Sequence, residues 1–258
     1  MGYSNIHLEI SEPFGHVTID RPERTNAVDY ETGQEMVNAL RRIDEDDDLA
    51  VGIISGSEGN FSAGADLKEI ADGVDMRERS YSLMGFSHAD IKKPTIAAIE
   101  GYCVAGGMEV ALWCDLRVAA TDATFGAFNR RFGVPFVDGA TQRLPRMIGY
   151  SRALDLMLTG RPIDGEKAEE WGLVNRIADP GEALDRAIEL ADRMAEFPQQ
   201  TIQSDLHAIY SGMGMPIERG LEVEAWTGLR SMPTAQEGAS RFADGEGRHG
   251  DGIIDDTG

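Results

Sequence analysis

The stretch "KPTIAAIEGYCVAGGMEVALWCDLRVAATDATFG", residues 93–126, decides how this chain is read. Residues 94–101, mostly apolar and broken only by Glu100, read as a buried strand covered on both faces. Two adjacent glycines, Gly106 and Gly107, then open a helix-like segment. That segment carries a single carboxylate, Glu109, among Val, Ala, Leu and Trp. "LRVAA" and "ATFGA" read as short strands. A helix start made of small residues exposes unpaired N–H groups at the positive end of the helix dipole. Packing alone would also account for the glycines.

Working outward, residues 6–10 and 15–20 alternate around "SEPF" and predict a hairpin. Asp29 is placed to cap a helix over 30–43, through Met36, Val37, Leu40 and Ile43. The acidic run at 44–48 closes that helix and reads as a solvated turn rather than a metal site. "AVGIIS" (50–55) predicts another buried strand. "FSAGADLKE" (61–69) is a second small-residue loop, leading into a short helix at 66–71. Residues 73–91 read as a polar, weakly periodic helical segment that lines a pocket. Beyond "FNRRFGVPFVDG" the spacing is helical, with a helix at 139–147 and two or three more between 198 and 243. The tail from 245 is expected to fray. Strands with helical crossovers fill the first half, and helices the second.

Net charge is −21, with 45 acidic and 24 basic side chains in 258 residues. Such a field repels phosphates, so neither nucleic acid nor an anionic membrane is an expected partner. Arginine outnumbers lysine twenty to four, which would suit a salt-rich cytoplasm. Cys103 and Cys114 lie in apolar sequence and are read as buried free thiols of a reducing, cytoplasmic compartment. No signal peptide or membrane-length apolar run is evident. No dinucleotide or Walker glycine pattern occurs, and the five histidines are scattered, so no metal site is expected.

The motifs together resemble the enoyl-CoA hydratase/isomerase (crotonase) superfamily. The resemblance runs from about residue 6 to 250. It rests on "RPERTNAVD" (21–29), "FSAGADLKE", the stretch quoted first, "TQRLPRMIG" (141–149) and "RALDLMLTGRPIDGEKAEEWGLVNRI" (152–177). It implies an α/β fold: a spiral of strand–strand–helix units over 1–197, then a helical trimerisation region over 198–258. It further implies a homotrimer or a dimer of trimers. The implied substrate is an acyl thioester, with coenzyme A as part of the substrate and no other cofactor. By motif match, the amides of Ala65 and Gly106 form the oxyanion hole of a thioester enolate. Arg24, Ala63, Asp66 and Lys68 fall where the family contacts coenzyme A.

Glu109 matches the first of two hydratase glutamates. Apolar surroundings should raise its pKa, which suits proton transfer. The second glutamate is missing. Asn129 stands there, in "FGAFNRRFG", and an amide can hold water but cannot exchange a proton. Asp138 is the replacement candidate, although it could equally cap helix 139–147. Arg130 and Arg131 could bind an acidic acyl group or pair between subunits. The implied reaction is hydration. Isomerisation, thioester hydrolysis, decarboxylation, carbon–carbon cleavage or idle acyl-CoA binding remain alternatives on the same fold.

Overall fold

The computed structural model describes residues 2–246. The chain divides into two compact units, the first ending at Ala195 and the second beginning at Glu196. Among the described residues, eight strands and ten α-helices are formed. The strands are β1 (Ile6–Ser11), β2 (Phe14–Ile19), β3 (Val51–Gly56), β4 (Thr95–Ile99), β5 (Tyr102–Val104), β6 (Leu116–Ala120), β7 (Thr124–Gly126) and β8 (Arg176–Ala178). The helices of the first unit are α1 (Tyr30–Glu45), α2 (Leu67–Asp72), α3 (Gly106–Trp113), α4 (Ala140–Ile148), α5 (Tyr150–Thr159), α6 (Gly165–Glu170) and α7 (Ala183–Ala195). The second unit holds α8 (Gln199–Gly212), α9 (Ile217–Arg230) and α10 (Met232–Asp244). The frayed tail expected from 245 lies, beyond 246, outside the described residues.

Six strands make one sheet in the order β1-β2-β3-β4-β6-β8. β1 and β2 pair antiparallel, and every later pairing is parallel. The uninterrupted apolar runs now have a cause, because alternate residues of each strand enter two different cores. Val17, Ile54, Ala97 and Ala119 face one core with α1 and α3. Phe14, Ile53, Ile96 and Val118 face the other, against Ala183, Ala187 and Ala191 of α7. Those alanines recur every fourth residue, so one smooth stripe of the helix meets the sheet. A small second sheet pairs β5 with β7, parallel, with Cys103 opposite Phe125. Cys103 and Cys114 are both free and buried.

Asp29 caps α1, accepting from the Thr32 N–H at 2.8 Å and its hydroxyl at 2.6 Å. The acidic run at 44–48 does more than turn. Asp44 accepts the N–H groups of Lys92 and Lys93, at 2.8 and 3.0 Å. The Lys93 ammonium donates to the carbonyls of Ile43 and Asp46 at the end of α1. Burial lowers the Lys93 pKa, and Asp44, Asp46 and Asp47 oppose that effect. A cation thus sits at the negative end of the helix dipole and fixes the approach to β4.

Two expectations are corrected. Residues 73–91 form turns, not a helix, because their hydrogen bonds go to distant groups. Arg79 pairs with Glu69 at 2.8 Å, and Ser82, Met84 and Ser87 all donate to Asp138. The second half is not wholly helical either. Arg176–Ala178 joins the sheet beside β6, a strand too short to leave a periodic signal. No helix among the described residues is long and apolar enough to cross a membrane.

Candidate active site

Two loops meet at the amides of Ala65 and Gly106. Gly64 has φ of +99°, and a methyl group there would lie 2.4 Å from the Gly106 nitrogen. A methyl on Gly106 would lie 2.9 Å from the Ala65 nitrogen. The loops are joined by Val104 N–H to Ser62 O at 3.1 Å. Ser62 itself is tied to Asn26 O at 2.7 Å through its hydroxyl. A side chain at Gly107 would strike the Ser62 carbonyl at 2.2 Å, so only glycine permits this approach.

The loop around Ala65 is pinned on either side, by Val28 N–H to Gly64 O at 2.8 Å and Asp66 N–H to Val28 O at 3.1 Å. The Ala65 N–H itself donates to nothing among the described residues. Gly106 is the first residue of α3, so its N–H has no partner within the helix, and it too donates to none. Ala105, just before it, is held at φ 52°, ψ −124°, a conformation nearly confined to glycine. Strain at this residue aims the Gly106 amide.

Ala65 and Gly106 line a cavity of about 80 Å³ together with Glu109 and Asn129. The remaining wall is apolar: Ala63, Leu67, Leu83, Ala105, Phe128, Phe132, Val134, Pro135 and Phe136. Sequence reading missed the four aliphatic and aromatic residues between 132 and 136. Phe132 ends a short 3-10 helix and the other three lie in the loop after it, where no periodicity marks an apolar residue as facing a cavity.

Glu109 is 3 % exposed. Its Oε1 accepts from the N–H groups of Asp138 and Ala140, at 2.9 and 3.0 Å. These are amides at the start of α4, so this carboxylate from α3 fills the cap position of another helix, a contact no local pattern reveals. Oε2 has no partner among the described residues. Burial pushes the pKa up to about 8, and Asp138 adds to that push, while the two amides and Arg143 oppose it.

Asn129 is buried, and its Nδ2 donates to Val134 O at 2.8 Å. Its Oδ1 is buried with no partner. An unpartnered buried acceptor costs roughly 1–3 kcal/mol, and this one belongs to a residue of the cavity lining.

Asp138 corrects the sequence reading on both counts. It is fully buried and does not line the cavity. Its carboxylate is taken by Ser82 Oγ at 2.5 Å, Ser87 Oγ at 3.0 Å and Met84 N–H at 3.2 Å. Buried behind the cavity wall and held by these three donors, it is placed away from the cavity where a substrate would sit. Nor does it cap α4, whose cap residue is Gly139.

Asp66 is likewise committed. It caps α2 through the Lys68 N–H at 3.0 Å and pairs with Arg21 at 3.0 Å and Arg24 at 2.5 Å. Burial raises its pKa, but those three partners outweigh burial and hold the carboxyl below its usual range. The Asp66 side chain therefore braces the loop and orients Arg24. Arg24 is part-exposed, Lys68 is exposed and Ala63 borders the cavity. Arg130 and Arg131 stack on Phe136 and Phe128, 5.4 and 4.4 Å from the ring centres, and neither lines the cavity. Among the described residues, no group of three or more His, Cys, Asp or Glu side chains could hold a metal ion.

The family model for enoyl-CoA hydratase/isomerase matches residues 9–247. The chain is 33% identical to an (E)-benzylidenesuccinyl-CoA hydratase of Thauera aromatica, over 93% of this chain and 96% of that one. It is 32% identical to a short-chain-enoyl-CoA hydratase of Clostridium acetobutylicum, over 87% and 88%. Among solved structures, an enoyl-CoA hydratase of Mycobacterium tuberculosis superposes with a TM-score of 0.85 at 36% identity, covering 93% of this chain and 96% of the other. The chain belongs to the enoyl-CoA hydratase/isomerase family, the crotonase superfamily, and is a hydratase-type enzyme acting on acyl-CoA.

Proposed function

We propose that the chain adds water across the double bond of a 2-enoyl-CoA with one acid–base carboxylate, Glu109. The observation that carries this is that one apolar cavity is lined by two residues with unpaired amides and by Glu109, which keeps one carboxylate oxygen unpaired. The thioester oxygen accepts from the N–H groups of Ala65 and Gly106. Each such donor is worth roughly 3–4 kcal/mol as negative charge develops. A water lies between Glu109 Oε2 and Asn129 Oδ1, giving one hydrogen to each. Both its protons are then directed away, and an oxygen lone pair faces the β carbon.

Ionised Glu109 takes the proton as the water oxygen bonds to that carbon. The double-bond electrons move onto the thioester oxygen as an enolate. Glu109 Oε2 then returns the proton to the α carbon, and the enolate collapses to the 3-hydroxyacyl thioester. The sum is addition of one water. A single oxygen serves in both steps because Oε1 is engaged by α4. Arg24 and Lys68 supply local cations for the coenzyme A phosphates against the acidic whole.

The reading calls on no metal or further cofactor. It carries with it a homotrimer or dimer of trimers, supported by exposed Ile217, Trp226 and Leu229 on α9. It also carries a reducing, cytoplasmic setting, supported by the two free thiols. Crotonyl-CoA, followed by loss of the enoyl thioester absorbance, tests the chemistry. Glu109→Gln should lose about 10²–10⁴-fold in rate. Isomerised or hydrolysed products by mass spectrometry, with no water adduct, would replace hydration by another reaction of the same thioester site.

A further inference from the structure

We propose that Asp138 is a positioning residue, one buried carboxylate that ties the cavity wall packed against Gly106 to the amides that hold Glu109. The inference rests on Glu109 being the acid–base group.

The residue faces two ways. Its backbone N–H donates to Glu109 Oε1 at 2.9 Å. Its side chain gathers the loop 82–87 through two hydroxyls and the Met84 N–H. Ser82 Oγ, while donating to Asp138, accepts the Gly85 N–H at 2.8 Å, so the loop closes on itself around the carboxylate. Leu83 of this loop lines the cavity. Met84 lies against Gly106, where an added methyl would meet its Cε at 2.7 Å. Displacing the loop therefore moves a cavity wall and the Met84 side chain packed against Gly106.

The choice of side chain follows from the donors. Three groups donate to two oxygens, which requires an acceptor-only residue. An asparagine would turn an NH₂ toward one of them. Burying a charge is costly unless hydrogen bonds satisfy it, and here three do. The charge also reaches Glu109. The charged groups acting on that carboxyl are Asp138, which opposes its ionisation, and Arg143, which favours it from the same helix start. Arg143 is itself held by the Asp138 carbonyl at 3.1 Å.

Asp138→Asn in the full chain tests this with crotonyl-CoA across a pH series. The expected result is about a tenfold or greater loss of kcat with a raised KM. The midpoint of the kcat/KM profile should also move about one pH unit downward. Undiminished turnover overturns the proposal. So does a loss with the midpoint unmoved, which a purely structural role would give. Should D138N fail to fold, Ser82→Ala combined with Ser87→Ala removes two donors and keeps the charge. That variant should raise KM several-fold with the midpoint in place, and an unchanged KM overturns the proposal. The Glu109 midpoint can also be read without catalysis. Unfolding free energy is compared, over pH, between D138N and D138N carrying Glu109→Gln. A wild-type chain inactive on every enoyl-CoA would sink the hydratase reading alone, because this last measurement still decides the role of Asp138.

Discussion

Replacing Glu109 with glutamine should remove activity and add stability, and the stability gain should depend on pH. The carboxyl titrates at about 8 in the folded chain, against 4.5 for the free side chain. Below about pH 4.5 both folded and unfolded chains carry it protonated, and it costs nothing. Between those two values folding must take up a proton, so stability falls steadily as pH rises. Above about pH 8 the folded chain holds a buried charge at full cost. At about 1.4 kcal/mol per pH unit, the penalty is about 3 kcal/mol at pH 7 and approaches 5 kcal/mol above pH 8. Glutamine keeps the Oε1 acceptor for the Asp138 and Ala140 amides and escapes this penalty, since it never ionises. Urea unfolding of both chains at a series of pH values measures the difference directly, and the other titrating groups cancel in the comparison. A difference that stays flat from about pH 5 to about pH 9 would refute the reasoning, because Glu109 would then not titrate in that range. Kinetics on the same two proteins joins the arguments. On the proposed mechanism, the group that destabilises the fold is also the one the reaction uses, a common exchange between stability and activity.

Three further outcomes are expected. In the free enzyme only ionised Glu109 can take a proton from water, so kcat/KM should rise with pH to a plateau with a midpoint of about 8; a flat profile across the neutral range counts against this base. One oxygen carries the proton in and out, so hydration in deuterated water should place deuterium on the α carbon and the hydroxyl on the β carbon from the same face of the double bond. A product of anti addition would require a second acid–base group. Ala105→Gly should relieve backbone strain worth about 1–3 kcal/mol, less about 0.5–1 kcal/mol for glycine's added freedom when unfolded. Its melting temperature should rise by about 2–4 °C, and a fall would mean that the φ 52° conformation carries no strain.

What could be read from the sequence, and what could not, divides by the range of the interaction. Continuous apolar runs announced β3 and β4, and Asp29 announced the start of α1, because those signals are local. The family match, carried by the glycine motifs, brought Ala65, Gly106 and Glu109 forward together. Residues 73–91 were misread because their order comes from Asp138, more than fifty positions away. Asp138 was misread for the same reason: its three donors lie on that loop, and nothing near it in sequence marks a hub. Glu109 capping α4 is likewise a contact between elements. β8 escaped because three residues against a sheet edge leave no period. Asn129 marked a departure from the two-glutamate pattern, but only the structure shows that its Oδ1 has no partner.

The central claim is that the Ala65 and Gly106 amides receive a thioester oxygen. Isotope-edited infrared spectroscopy of butyryl-CoA, labelled with ¹³C at the carbonyl and bound to the wild-type chain, tests it without turnover, since a saturated acyl group has no double bond to hydrate. Two converging donors should pull the carbonyl stretch clearly below its value in water. A bound carbonyl that vibrates at or above the aqueous frequency would contradict the account.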